Sequence, residues 1–201
     1  MGDRPAAGPG LRLAQHPDAD ALLSRDPFAL VVGMLLDQQV PMEKAFTGPW
    51  VLAQRLGADR LDPAEVAAVP PERFAAMMAG PPAVHRYHAS MGSRVQALAA
   101  YVVEHYRGDV ERLWVEAADG ADLRRRLEAL PGFGAQKAKI FVALLGKQLG
   151  VRPAGWREAA EEYGPDDATR SVADVRDAAT LAAVRETKRR LKAAKKAAAG
   201  P

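Results

Sequence analysis

Residues 130–138 read LPGFGAQKA, and two glycines, a glutamine and a lysine at that spacing are suited to holding an anion. Helical patterning runs up to Leu130 and resumes directly after Gly134, so the second helix would start with N–H groups that have no partner inside the helix. Gly132 and Gly134 have no side chain to keep an oxyanion off the backbone, and the positive end of the helix dipole adds attraction. Gln136 and Lys137 fall in the first turn, in reach of the same anion. A plain connector between two helices is the other reading of Pro131 and Gly132.

A second chemistry-bearing stretch is PPAVHRYHASMGSR, which gathers His85, Arg86, Tyr87, His88 and Arg94 in a loop entering a helix. Aromatic rings and guanidinium groups of that kind stack on an exposed base or hold phosphate. The His-x-x-His spacing has no acidic or cysteine partner nearby, so no metal site is assigned. A third is the end of the chain, where Lys188, Arg189, Arg190, Lys192, Lys195 and Lys196 follow Glu186 without another acid. Such a run is either a solvated helix end suited to the helix dipole or a phosphate contact.

The elements that must position these residues are helices. Asp26-Pro27 and Asp62-Pro63 are N-cap and first-turn pairs, Pro71 is a further helix start, and Ser90 is placed to cap the helix after it. Phe28, Val31, Val32 and Leu35 share one helical face, as do Val95, Leu98, Ala99 and Val102. A third helical run begins after Asp177. No stretch alternates with period two. The expectation is an all-α fold of eight to ten short helices, with a disordered tail over 1–16, a core over 17–176 and a basic helix and tail over 177–201.

Composition narrows the chemistry. The 201 residues contain no cysteine, which excludes disulfides, thiolate zinc sites and cysteine-ligated iron–sulfur clusters. Lys and Arg number 28 against 25 Asp and Glu, giving a formal charge of +3, and the isoelectric point is about 9.3. That balance admits a polyanion partner. No apolar run approaches the roughly 20 residues of a membrane span, and the opening MGDRPAAGPG lacks a signal-peptide core, so the expectation is a soluble cytoplasmic protein without a membrane partner.

Three ordered motifs carry a family resemblance. LEALPGFGAQKAKIFVALLG resembles the helix-hairpin-helix of the HhH-GPD superfamily of base-excision DNA glycosylases, the group that contains endonuclease III. DPFALVVGMLLDQQV and MGSRVQALAAYVVEHYRG resemble that family's helix-and-glutamine segment and its middle helix, and the likeness spans roughly residues 18–165. The resemblance implies a two-lobed all-α fold with the hairpin at 122–149 and DNA between the lobes. The partner would be double-stranded DNA with a damaged or mispaired base, bound by a monomer, nucleoid-associated if the source is bacterial. Gly132, Phe133, Gly134, Ala135, Gln136 and Lys137 would anchor a DNA phosphate, with a monovalent cation on the hairpin carbonyls. Gln38 and Gln39, read as adjacent on one helix and so about 100° apart, would send one side chain into the duplex; Gln39 is the choice. Arg94 is counted with the DNA-binding residues.

The likeness also breaks in three places, one of them the absence of cysteine, which removes the iron–sulfur cluster that many relatives carry. The family's aspartate, about eighteen residues beyond its lysine position, would fall in GVRPAGWREAAEEYG, which contains none. Gln136 stands where lyase members carry their Schiff-base lysine, with Lys137 one residue later on another face. The implied activity is therefore that of a monofunctional glycosylase without metal or redox cofactor. Asp37, beside the glutamines, is the first choice for the missing carboxylate, and Glu158 the second, ahead of Glu161 and Glu162. His85, Tyr87 and Trp156 are assigned to a base pocket, Trp156 equally to the core. A noncatalytic protein that binds distorted or abasic DNA is the alternative.

Overall fold

Proline and aspartate punctuation divides the chain into helices, more of them than the eight to ten expected. A computed structural model describes residues 10–198, and within them there are eleven α-helices and no strand. They are α1 (Pro17–Arg25), α2 (Pro27–Leu36), α3 (Met42–Leu56), α4 (Pro63–Ala68), α5 (Pro71–Ala79), α6 (His88–Tyr106), α7 (Arg112–Val115), α8 (Gly120–Glu128), α9 (Ala135–Gln148), α10 (Trp156–Ala160) and α11 (Ala178–Ala198). Two 3₁₀ turns, Glu161–Tyr163 and Val172–Asp174, follow α10.

The caps explain several boundaries. Asp26 accepts the Ala29 N–H at 3.0 Å through Oδ1 and the Leu61 N–H at 2.6 Å through Oδ2, starting α2 and tying it to the loop before α4. Asp62 caps α4 through the N–H groups of Ala64 and Glu65. Ser90 does not cap: α6 starts two residues earlier, at His88, and the Ser90 hydroxyl donates to the Tyr87 carbonyl at 3.3 Å.

Helix α2 is the centre of the molecule. Every residue from Phe28 to Leu36 is buried, so the helix is apolar all round, as a helix enclosed by others must be. Helices α1 and α3 pack on it, α6 touches it and carries α4 and α5, and α8, α9 and α10 pack against one another. Side chains from all of these join one core, with Phe46, Phe74 and Phe141 among the largest fully enclosed.

Two expectations are corrected here. Residues 1–9 lie outside the described residues, but the rest of the expected tail is built into the fold: Leu11, Leu13 and Ala14 are buried. The Leu11 N–H donates to Ser24 Oγ at 2.9 Å and that of Ala14 to Asp20 Oδ1 at 2.7 Å. Trp156 belongs to the core and does not wall a pocket. It is 6% exposed and lies flat on α9, where a Cβ at Gly146 would come within 2.4 Å of its ring. Glycine at 146 is what lets the indole approach the helix.

Candidate nucleic-acid interface

The LPGFG turn joins α8 to α9 as a tight hairpin in which the Phe133 N–H donates to the Leu130 carbonyl at 3.0 Å. Its two glycines do different work. Gly132 takes a left-handed φ of +81°, and a Cβ there would lie 2.4 Å from Leu35 Cδ1, so this glycine seats the hairpin on α2. Gly134 is exposed and faces open space. Phe133 is buried and meets the Phe141 ring edge-on at 6.1 Å, anchoring the turn from beneath.

Helix α9 has no side-chain cap, and its first internal bond runs from the Ala138 N–H to the Gly134 carbonyl at 3.1 Å. The N–H groups of Ala135, Gln136 and Lys137 therefore lack intrahelical acceptors and open beside Gly134. Gln136 donates to the Tyr163 hydroxyl at 3.2 Å. Lys137 turns inward and caps the other helix: Nζ donates to the carbonyls of Met34 at 2.7 Å and Leu35 at 2.5 Å, at the C-terminus of α2. Burial pushes its pKa down to about 8 against the pull of Asp37.

The glutamines lie beyond α2, which ends at Leu36, and not on one helix as the sequence suggests. Asp37 is the C-cap residue, the Gln38 N–H returns to the Leu36 carbonyl at 2.7 Å, and Gln39 adopts a left-handed φ of 54°. The two side chains take different partners. Gln38 Oε1 accepts from Arg94 at 3.1 Å, and the exposed Gln39 accepts from the Tyr87 hydroxyl at 3.2 Å.

The sequence places His85 in a base pocket, but its ring is wholly enclosed. Nδ1 accepts the Tyr87 N–H at 3.0 Å, which leaves Nε2–H to donate to the Gln38 carbonyl at 2.9 Å. It braces the glutamine turn from behind. Tyr87 remains exposed, with the Arg86 guanidinium 4.8 Å from its ring centre.

The glutamine turn and the hairpin border a cleft of about 670 Å³ that α11 closes on a third side, while His85, Tyr87 and Arg94 lie outside its lining. Among the described residues Asp37 is the only acid in its lining, against Lys137, Arg170 and Lys188. Burial raises the Asp37 pKa, partly offset by Lys188 and Lys137, and Glu43 raises it further. A half-buried carboxyl among cations is suited to facing a developing positive charge.

Glu158, the second choice, is exposed beside Gly155 and outside the cleft lining. Glu161 is occupied by Arg124 at 2.6 Å and Lys139 at 2.7 Å, and Glu162 lies 3.9 Å from Lys139. Tyr163, Arg170 and Leu191 also line the cleft, and sequence reasoning does not single them out. Only Tyr163 offers a signal there, as an aromatic one helix beyond the hairpin. Among the described residues no group of three His, Asp or Glu side chains is arranged to hold a metal, and no helix is long and apolar enough to cross a membrane.

Fold and site together define an all-α protein with a cationic cleft around one carboxyl group. Compared with protein-family models, curated proteins and solved structures, the chain matches none.

Proposed function

We propose that this chain is a monofunctional DNA glycosylase of the HhH-GPD kind, a two-lobed enzyme acting in the cytoplasm on duplex DNA that carries a damaged or mispaired base. The observation that carries the reading is the convergence on one cleft of the uncapped start of α9, the braced glutamine turn and a single carboxyl group, Asp37. They come from segments about 100 residues apart in sequence and belong to two motifs of the resemblance, while Arg94, from the third, holds Gln38.

In this reading the N–H groups at Gly134 to Lys137 hold a phosphate and fix the register of the duplex without reading its sequence. Gln39, presented at the tip of the turn, fills the space left by an extruded nucleotide. Asp37, ionised, stabilises positive charge developing on the sugar as the N-glycosidic bond breaks and water adds to the anomeric carbon. Its partial burial strengthens that interaction, because a poorly solvated charge acts in a lower effective dielectric. Lys137 is committed to two backbone carbonyls, which accords with hydrolysis and not with Schiff-base chemistry.

The test is release of base from duplexes each carrying uracil, hypoxanthine, an oxidised guanine, an alkylated purine or a mismatch, with abasic sites revealed by alkali. Release that needs alkali for strand scission and disappears in Asp37→Asn supports the enzyme. Tight binding to abasic duplex without release from any substrate supports a noncatalytic binding protein instead. That second reading draws on the segment 150–164, which has no aspartate where the family keeps one.

A further inference from the structure

Helix α11 changes character along its length. Its first half is attached to the body: Leu181 and Val184 are buried, Arg185 pairs with Glu43, and Thr187 shares a hydroxyl hydrogen bond with Thr169 at 2.9 Å. From Lys188 to Ala198 every residue is exposed, and this half carries six cations and no acid. Arg189 is paired back to Glu186.

The phase of the helix decides which way the cations face. Leu181, Val184, Lys188, Lys192 and Lys195 follow one another at spacings of three and four residues, which keeps them on a single stripe. The stripe that packs on the body at Leu181 and Val184 borders the cleft at Lys188, and it continues as bare lysines where the body ends. Lys188, Lys192 and Lys196 are also like charges one helical turn apart, an arrangement that destabilises an isolated helix and is relieved by a counter-charge.

We infer that the α11 lysines beyond Lys188, with Lys192 and Lys195 on the stripe and Lys196 beside it, are a second phosphate-binding wall of the cleft. It would hold the backbone of a duplex whose lesion lies between the hairpin and the glutamine turn. This rests on the DNA reading above and extends it to a contact well outside the hairpin. The occupant is double-stranded nucleic acid, because the stripe is linear, cationic and continuous with a cleft whose other edge offers backbone N–H groups to an anion. The stripe supplies affinity without base readout, since lysine ammonium groups meet phosphate as point charges.

The experiment is fluorescence anisotropy of a short duplex with an abasic analogue, titrated at several salt concentrations between about 50 and 200 mM. Full-length protein is compared with the triple variant Lys192→Gln, Lys195→Gln, Lys196→Gln and with Gly134→Glu. Matching helicity and thermal midpoint establish that the triple variant is folded. The expected result is a slope of log K against log salt shallower by about 2 to 3 in the triple variant, close to 0.9 for each phosphate that is no longer neutralised. A triple variant with wild-type slope and affinity overturns the inference and leaves the glycosylase reading standing, provided wild type binds and Gly134→Glu does not. Absence of duplex binding by wild type at any salt overturns both. Retained duplex binding with lost adhesion to anionic phosphatidylglycerol vesicles overturns the inference in favour of a membrane surface.

Discussion

His85 joins two segments through one ring: Nδ1 accepts the N–H of Tyr87 at 3.0 Å and Nε2–H donates to the carbonyl of Gln38 at 2.9 Å. Both bonds require the neutral imidazole in a single tautomer. Protonation would set an N–H at Nδ1 against the Tyr87 N–H. Burial already moves the ring's pKa below its ordinary value, with the Gln38 bond as partial opposition. The stability contributed is complete above the unfolded value near 6.5 and is lost as pH falls from there toward the lowered folded value. Hydrogen-exchange protection at residues 37–40 should fall through that window in wild type. His85→Ala should cost about 2–4 kcal/mol in urea unfolding, from the cavity and two unpaired backbone groups.

The two hairpin glycines should respond differently to substitution. Gly132→Ala puts a methyl group against enclosed Leu35 at a left-handed backbone position, and thermal unfolding should show a loss of about 1–3 kcal/mol. Gly134→Ala should leave stability within about 0.5 kcal/mol, because the position opens to solvent at φ −97°. Gly134→Glu should fold equally well and lose duplex affinity, by about tenfold or more in anisotropy, through a carboxylate set at the phosphate site.

Asp37 sets the expected pH dependence of base release. Burial holds its carboxyl protonated to higher pH than an ordinary aspartate, so the acid limb of the rate profile should lie above the usual aspartate range. Lys188→Gln removes the largest charge opposing that shift and should move the limb higher still. Asp37→Asn should lower the single-turnover rate on the order of 10²–10⁴-fold, and Glu158→Gln should leave it unchanged. An unmoved limb in Lys188→Gln would separate Asp37 from the titration.

Lys137 should report its burial through stability. With a folded pKa of about 8 against an ordinary 10.5, the unfolded chain binds more protons between those values. The stability of wild type relative to Lys137→Met should therefore rise as pH increases across that interval, measured by urea midpoints at both ends. Wild type should also give no borohydride-trapped adduct with abasic DNA, since the amine is held by the Met34 and Leu35 carbonyls.

The buried pair Lys147–Asp174, at 2.5 Å, fastens the second 3₁₀ turn to α9 and with it the root of α11. Asp174 also accepts the N–H groups of Arg170 and Ser171 at 2.9 and 3.0 Å. Asp174→Ala leaves an enclosed ammonium without a partner and should cost about 3–5 kcal/mol in denaturant unfolding.

Helices, caps and the hairpin are legible in the sequence because each rests on local chemistry. Asp26 and Asp62 cap where proline follows them, and the LPGFG turn is a turn for reasons confined to those residues. The end of α2 is not legible: DQQ has no glycine or proline, and the helix stops because Lys137 and His85, distant in sequence, take up the groups around its last turn. Leu11 and Leu13 are hidden for the same kind of reason, a glycine-rich neighbourhood masking apolar residues that only α1 and its surroundings bury.

By itself, then, the amino-acid sequence determined an all-helical chain, the glycine hairpin between α8 and α9, and the cationic run at the end of α11. Periodicity, capping and charge act over a few residues and need no partner. Only the tertiary structure decided that Asp37 lines the cleft, that Trp156 is core, and that Lys188, where the lysine stripe begins, borders the same opening as the hairpin. Those facts depend on which helices pack together, a property of burial summed over the whole chain that no single segment carries.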